Sequence, residues 1–319
     1  MSSAIENVFI IIELLEFITG IWGNGFIVLV ICADWVKTKK ISLLDFIFTI
    51  LAISRIGMIC MLFEDSLKTV YYSGIFENHL MMIVVSDFFW DLNNDISTWC
   101  ATSLGVFYFL KLSNFSHPFF LWLKWRRDRV VITILLGFFL SLFVGLLNIK
   151  FDAFKVSEYL KTERNWTRKE YMRKTQYFNN KILLSLGSLI PMVVSLISFF
   201  LLILSLWRHI RQMMHYAKGS GDFNTEVYVR ARNTMISFII LLVVHYFFTI
   251  LLLWSYSTIE NSLSMIICET VVLLYPSIHP IHMILGNRKL RRTAVNLLRQ
   301  MSPASRERDS SQHAGTENY

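Results

Sequence analysis

The chain has 319 residues, of which 54% are hydrophobic and only 17% are charged. The apolar share exceeds that of soluble globular domains and the charged share falls below it, which indicates that lipid is the main solvent. The formal net charge is +8. We find no separate soluble basic domain to carry a nucleic-acid site, so nucleic acid is excluded as a partner.

Seven apolar blocks of at least twenty residues predict seven transmembrane helices, because a helix needs about 20 such residues to cross a hydrocarbon core of roughly 30 Å. The blocks lack the alternation of barrel strands, and only helices or closed barrels satisfy every backbone group in lipid. The predicted spans are Val8 to Ala33, Ile41 to Phe63, Leu80 to Leu110, Val130 to Ile149, Ile182 to Trp207, Met235 to Tyr256 and Leu263 to Leu285. The predicted fold class is therefore all-α integral membrane, a seven-transmembrane helix bundle.

Residues 1–300 are predicted to form one seven-transmembrane domain, and residues 301–319, which are mostly polar, a disordered tail. No Lys or Arg occurs before Val8, so we expect the first span to act as its own insertion signal. Apolar residues recur at helical spacing among arginines near the end of the domain, which predicts a short amphipathic helix along the inner leaflet. They are Leu290, Ala294, Leu297, Leu298 and Met301. No cysteine follows Cys268 in the sequence, so we expect no palmitoyl anchor on this helix.

Lysine and arginine collect in the connections after spans one, three, five and seven, which indicates the cytoplasmic side. The amino-terminal segment and the last outer connection have none, and the connection after span two has only Lys68. The connection between spans four and five is an exception, with nine basic residues from Lys150 to Lys181. Four basic connections outweigh one, so we expect the amino terminus outside and the carboxyl terminus in the cytoplasm.

Two polar residues inside spans are costly in lipid unless they are paired. Asn24 in the first span lies between Gly23 and Gly25, which would let a neighbouring helix approach closely. Arg55 is a cation deep in the second span. It either snorkels to the interface or pairs with polar groups of the first and seventh spans, which would lock the bundle.

Six segments, each at the expected place on its span, resemble the bitter taste receptors, the type 2 taste receptor family of G-protein-coupled receptors. They are GNGFIVLV, LAISR, FYFLKLSNFS, SLWRH, NTEVYVRARNTMISF and YPSIHPIHMILGNRKLRR. The resemblance extends from about Ser3 to Leu298. It implies a receptor that detects small bitter-type molecules and activates a heterotrimeric G protein of the gustducin type.

Several departures leave the activation switch open. The triplet at Tyr108 reads Phe-Tyr-Phe where larger rhodopsin-like receptors have Asp-Arg-Tyr, and the cysteine pair that joins the third helix to an outer loop is missing. Within the family, His245 stands where many members have tyrosine, and His279-Pro280 where many have His-Ser. All four cysteines lie in or beside predicted spans, so no structural disulfide is expected.

A ligand pocket is predicted between the outer ends of the helices. Trp90, Asn94 and Thr98 are four residues apart and therefore share one helix face. The resemblance implies that Trp90 and Asn94 contact the ligand and that Glu269 faces them, and His245 is included in the predicted site. Alternative positions around the third span are Asp87, Phe89, Asp91 and Asp95. Trp90 could instead be an interfacial anchor, and Glu269 a polar contact to a neighbouring helix.

The cytoplasmic face is predicted to contact the G protein through Tyr108, Lys111, His209 and Arg211. Its basic charge suits an acidic partner surface or anionic lipid. Asn165 begins a glycosylation sequon in the long outer connection.

Other functions have less support. His279 and His282 could share a metal, but the remaining histidines are scattered, and we expect neither a metal nor another cofactor. No nucleophile with its base is apparent, so we do not expect an enzyme. A secondary transporter or another polytopic membrane protein is the alternative, although we see none of the internal repeats that transporters show. A receptor oligomer is a further partner hypothesis.

Overall fold

The computed structural model describes residues 2–71, 80–113, 115–162, 190–205, 207–208, 211, 225–258 and 262–301. Within these ranges the chain is helical apart from short connections, and no strand occurs. Nine helices are described, and their bounds are α1 Ser2–Thr38, α2 Leu43–Tyr71, α3 Leu80–Leu112, α4 Pro118–Trp125, α5 Arg127–Thr162, α6 Ile190–Ser205, α7 Thr225–Thr258, α8 Ser262–Gly286 and α9 Arg288–Met301.

The seven predicted spans correspond in order to α1, α2, α3, α5, α6, α7 and α8. Helix α5 continues thirteen residues past Ile149, and α7 begins ten residues before Met235. Hydropathy places only the apolar part of a helix, so polar turns beyond the hydrocarbon boundary are not detected. Helix α4 was not predicted, because eight residues are too few to form a membrane span. The amphipathic helix was expected and is α9.

Three helical segments of the described residues are long and apolar enough, by length and composition alone, to cross a membrane: Asn7–Thr38, Leu43–Leu67 and Leu263–Gly286. Shorter apolar stretches occupy Ile190–Ser205 and Ile236–Leu252. The first half of α3 carries Asp87, Asp91 and Asp95, which lower its hydropathy.

Helix α8 lies centrally and packs against α1, α2 and α7. Two glycines of α1 allow its close approach, because a Cβ at Gly20 would lie 2.9 Å from Ser277 Oγ and one at Gly23 would lie 2.9 Å from Pro280 Cβ. Gly25, which was expected to share this role, has open space beside it. It lies outside the contact face because α1 meets α8 along a row spaced by about one helical turn, which contains Gly20 and Gly23.

Helix α3 packs against α2 on one side and α5 on the other. On the α5 side, the ring of Trp99 lies directly against Gly137, where an added Cβ would overlap it. A large flat side chain against a glycine brings two membrane helices together through van der Waals contact, which is the main source of helix association in lipid.

Helix α9 is anchored at one end of the bundle, called here the α9 end. The side chain of Asn287 caps it by accepting a hydrogen bond from the backbone nitrogen of Lys289 at 2.9 Å. Lys289 Nζ lies 2.6 Å from Asp34 of α1, and the Leu290 side chain is buried in a core that α1, α2, α3 and α8 share. Leu297 and Leu298 remain exposed, as expected for a helix whose apolar face contacts lipid.

Candidate functional site

Arg55 of α2 is fully buried near the middle of the bundle, which contradicts the snorkelling interpretation. One terminal nitrogen donates to Tyr275 Oη at 2.8 Å, and the other donates to His279 Nδ1. The guanidinium also lies over the Tyr275 ring, 4.8 Å from its centroid. Arginine only donates hydrogen bonds, so His279 Nδ1 accepts here and carries no proton. Both partners belong to α8, so Arg55 ties the second span to the seventh.

Aromatic rings extend this contact across the bundle. The His279 ring is 4.4 Å from Phe238 of α7, and Phe238 is 4.6 Å from Phe199 of α6, between ring centroids. Phe199 in turn lies against Gly105 of α3, where a Cβ would be 2.9 Å from its ring. A continuous buried path therefore connects α2, α8, α7, α6 and α3.

Two prolines interrupt the hydrogen bonding of α8, and neighbouring helices repair it. Pro276 has no backbone hydrogen to donate to the carbonyl of Val272, and His245 of α7 contacts that oxygen through Nδ1 at 3.2 Å. Pro280 likewise leaves the carbonyl of Pro276 without its helical donor, and the Asn24 amide of α1 donates to it at 3.1 Å. A carbonyl only accepts, so Nδ1 of His245 carries the proton.

Three residues marked as unusual in the sequence, Asn24, His245 and Pro280, thus belong to one structural arrangement. A free carbonyl in lipid costs several kcal/mol, so this arrangement fixes α1 and α7 to α8 at neighbouring turns. Sequence reasoning treated His245 as a ligand-binding candidate. In the structure its ring is buried and its Nδ1 contacts the Val272 carbonyl of α8.

Trp90 lies at the opposite end from α9 and is 8% exposed. It packs in one cluster with Leu62 of α2, Leu252 of α7 and Val272 of α8. An interfacial anchor would face the headgroups, so this burial contradicts the anchoring interpretation of Trp90. Phe89, one of the alternatives, is exposed on the outside of α3.

Asn94 and Thr98 follow Trp90 on the same face of α3, and both are buried. The Thr98 hydroxyl donates to the backbone carbonyl of Asn94 at 2.9 Å and accepts from Tyr246 Oη of α7 at 3.0 Å. Tyr246 was missed in the sequence analysis, although a tyrosine beside His245 in an apolar span was a signal that could have identified it. The face of Trp90, Asn94 and Thr98 is thus directed at α7 and α8.

Glu269 is buried in α8, and its carboxylate accepts a hydrogen bond from Ser66 of α2 at 3.0 Å. On the next residue, the Thr270 hydroxyl donates to Glu13 of α1 at 2.8 Å. The polar contact to a neighbouring helix therefore exists for Glu269, and its carboxylate is directed at α2. Glu13 was not identified from the sequence, although a carboxylate within an apolar span is itself a signal.

Asp95, another alternative on α3, points to α5, where Ser141 donates to its carboxylate at 2.5 Å. This contact joins α3 to α5. Asp91 and Asp95 each come one position after Trp90 and Asn94 in the helix, so both lie beside the face that carries those two residues.

The predicted G-protein residues lie at the α9 end where they are described. Tyr108 packs against the core shared by α1, α2 and α3. The ammonium of Lys111 is 5.6 Å from the Phe107 ring centroid, and the guanidinium of Arg211 is 5.4 Å from that of Trp207. His209 and Asn165 fall outside the described residues.

Among the residues described, no group of three or more metal-ligating side chains comes together, and all four cysteines are free thiols. Long apolar helices joined by buried polar contacts define an integral membrane bundle, here of the seven-transmembrane receptor class.

The comparisons identify the family within that class. A profile of the family described as Taste receptor protein (TAS2R) matches residues 1–302. Taste receptor type 2 member 7 of Papio hamadryas is 43% identical over 304 residues, covering 93% of this chain and 95% of its own length. Member 7 of Macaca mulatta is 42% identical over 319 residues, covering 98% and 99%, and member 8 of Homo sapiens is 42% identical over 301 residues, covering 93% and 97%. The chain belongs to the type 2 taste receptor family.

The chain is therefore a bitter taste G-protein-coupled receptor and not an enzyme, as the sequence resemblance predicted. Small-molecule ligands and a G protein are its partners by membership of this family, and it is a multi-pass membrane protein.

Proposed function

We propose that agonists bind at the end of the bundle opposite α9, against the face of α3 that carries Trp90, Asn94 and Thr98. The observation that carries this proposal is the position of Trp90, which packs between α2, α7 and α8 at that end. A small ligand entering there meets a large aromatic surface and polar groups one and two turns deeper, a combination typical of ligand pockets.

Tyr246 and Glu269 complete the proposed site from the other side. Tyr246 already donates to Thr98, so a ligand that competes for the Thr98 hydroxyl changes the contact between α3 and α7. Glu269 lies behind the Trp90 cluster and is turned toward Ser66. It contributes negative potential that favours cationic agonists.

The signal then passes through the buried path from Arg55 to Phe199. Tyr275 links the two regions, because its ring is 4.7 Å from that of His245 and its hydroxyl accepts from Arg55. The α9 end is cytoplasmic in this proposal, where Tyr108, Lys111, His209 and Arg211 contact a heterotrimeric G protein of the gustducin type. The amino terminus and a glycosylated Asn165 are extracellular, in the plasma membrane.

Calcium imaging tests the proposal in cells that co-express the receptor with a gustducin-like chimeric G protein. A panel of bitter compounds should include agonists that give no response in cells with the G protein alone. A response that requires a G protein of another class would contradict the coupling, and solute uptake without any G-protein response would favour the transporter alternative.

The pocket is tested with three variants on the agonists so identified. Trp90→Ala should lower potency by more than about tenfold for most agonists, the equivalent of about 1.4 kcal/mol, since a tryptophan ring contributes a large contact area. Asn94→Ala should affect only agonists with a suitably placed hydrogen-bonding group. Glu269→Gln should chiefly affect cationic agonists, because it removes charge and preserves shape.

Phe89→Ala is the matched control, since this ring is on the same turn of α3 but faces outward. Surface staining must be equal in all variants. A Trp90→Ala receptor that reaches the surface and responds to several unrelated agonists with unchanged potency would move the site away from α3.

A further inference from the structure

Helix α4 has one face buried against the bundle. Phe120 packs with Val106 and Leu110 of α3, and Leu123 lies against the same cluster. Lys124 extends from this side, and its ammonium donates to the carbonyl of Ser113 at 2.8 Å. These contacts fix the rotation of the helix, so its remaining side chains must point away from the bundle.

The outward face of α4 is entirely apolar. Phe119, Leu121, Trp122 and Trp125 are 62%, 52%, 48% and 84% exposed. The rings of Phe119 and Trp122 are nearly parallel and stack with centroids 6.2 Å apart. Contiguous exposed aromatic surface marks a place of interaction, because water solvates it poorly.

Cations border this face at its carboxyl-terminal end. The Arg126 guanidinium lies over the Trp122 ring, 5.0 Å from its centroid, and Arg129 is exposed in the first turn of α5. Tryptophan beside arginine is the composition of membrane interfaces, where the ring sits at headgroup depth and the cation meets phosphate.

The location of α4 agrees with this composition. It follows the end of α3 directly, and α3, α5 and α9 contribute Phe107, Val131 and Leu290 to one core cluster. Helix α4 therefore lies at the α9 end, at the same level as the amphipathic helix. Its eight residues are too few to cross a membrane, so α4 must lie along the membrane surface.

We propose that the outward face of α4, formed by Phe119, Leu121, Trp122 and Trp125, is a docking surface for anionic phospholipid. The aromatic side chains enter the boundary between headgroups and acyl chains, and Arg126 and Arg129 contact the lipid phosphates. The surface attaches the connection between α3 and α5 to the leaflet and thereby holds the cytoplasmic end of α3. That this leaflet is the cytoplasmic one rests on the orientation proposed above.

The first test measures how deeply Trp125 enters the bilayer. The full-length receptor is placed in nanodiscs whose lipids carry bromine, which quenches tryptophan emission, on the upper part of the acyl chain. The signal of one ring is the difference between wild type and a variant lacking it. In discs that contain phosphatidylserine, Trp125→Phe should remove a part of the tryptophan emission that the brominated lipid quenches. In discs of pure phosphatidylcholine, the quenched emission that the substitution removes should be smaller. Trp22→Phe is the control, because Trp22 is 76% exposed within the apolar α1 span and should be quenched equally in both lipids.

The second test measures how much the two arginines contribute to the binding of anionic lipid. After mild delipidation, the double variant Arg126→Gln and Arg129→Gln should retain at most about half as much phosphatidylserine per receptor as wild type. The control pair Lys37→Gln and Lys40→Gln removes the same charge from exposed positions in the last turn of α1 and just beyond it, and it should retain more phosphatidylserine than that variant.

Equal retention by the two double variants, or no quenching of Trp125 in any lipid, would overturn the proposal. If brominated lipid leaves the Trp125 emission unchanged but purified G protein changes it, the face would be assigned to the G protein instead. All measurements are made without agonist, so an error in the proposed pocket or coupling leaves their outcome unaffected.

Discussion

At the scale of single residues, Arg55 explains how a cation is tolerated in the middle of a membrane bundle. Its described hydrogen-bond partners are the neutral side chains of Tyr275, His279 and Met283. Donation to a ring nitrogen, a hydroxyl and a sulfur spreads the charge without an ion pair. The arrangement depends on α8 remaining in register with α2, because all three partners lie on α8.

Arg55→Ala should therefore impair the receptor more than Lys37→Ala. Losing hydrogen bonds to a charged buried group costs about 1.5–3 kcal/mol, whereas Lys37 is exposed to solvent. We expect a lower melting temperature of the purified receptor and a weaker calcium response for Arg55→Ala. Equally mild effects of both substitutions would show that the buried contacts do not stabilise the active bundle.

The sequence favoured pairing of Arg55 with the first and seventh spans, and the described hydrogen-bond partners lie on the seventh. That Trp90, Asn94 and Thr98 share a face also followed from the sequence, because helical periodicity is a local rule. It did not predict the partner of Glu269. Whether a carboxylate turns toward α2 or α3 depends on how α8 is rotated, and that rotation results from the packing of four helices.

At the scale of elements, two backbone carbonyls of α8 accept hydrogen bonds from neighbouring helices in place of the helical donors that the prolines lack. His245 donates to the carbonyl of Val272, and Asn24 donates to that of Pro276. Both prolines could be read from the sequence, and each predicts a free carbonyl four residues earlier. Which neighbouring side chain would supply the donor could not be predicted, because the donors are 27 and 252 residues away along the chain.

We expect His245→Phe to destabilise the receptor by about 1–3 kcal/mol, because it keeps a flat ring against Tyr275 and removes the donor to Val272. The measurement is the melting temperature of the purified receptor, with basal G-protein signalling recorded in parallel. His245→Asn, which restores a side-chain donor, should recover part of the loss. No recovery together with a normal fold would indicate that ring size alone matters.

The α3 and α5 pair gives a second element-scale prediction. Gly137→Ala should destabilise the receptor by about 1–3 kcal/mol, because the new methyl group overlaps the rigid Trp99 ring. Gly25→Ala is the matched control, since the space beside Gly25 is open and alanine favours the helix. A thermal shift of the same size in both variants would contradict the tight contact.

At the scale of the whole molecule, the distribution of charge predicts the orientation. Hydropathy was sufficient for the order of the spans, while α4 and the polar extensions of α5 and α7 required the structure. The α9 end gathers Arg126, Arg288 and Lys289, and the buried carboxylates Glu13 and Glu269 lie toward the other end.

An amino-terminal epitope tag should therefore be stained on intact cells and a carboxyl-terminal tag only after permeabilisation, because basic connections remain in the cytoplasm. Glycosidase treatment should shift the mobility of the wild-type chain and not that of Asn165→Gln. A shift that survives in Asn165→Gln would indicate another glycosylated site or the reverse orientation.

The two repaired carbonyls of α8 also have a mechanical consequence. Val272 and Pro276 are one turn apart, and their donors come from opposite neighbours, α7 and α1. A sliding or twisting motion of α8 against either neighbour would leave a carbonyl bare in hydrocarbon, whereas a small tilt about the line through both oxygens would leave both bonds intact. We therefore expect α1, α7 and α8 to move together, with a small tilt of α8 about the line through the two carbonyl oxygens as the motion that keeps both hydrogen bonds.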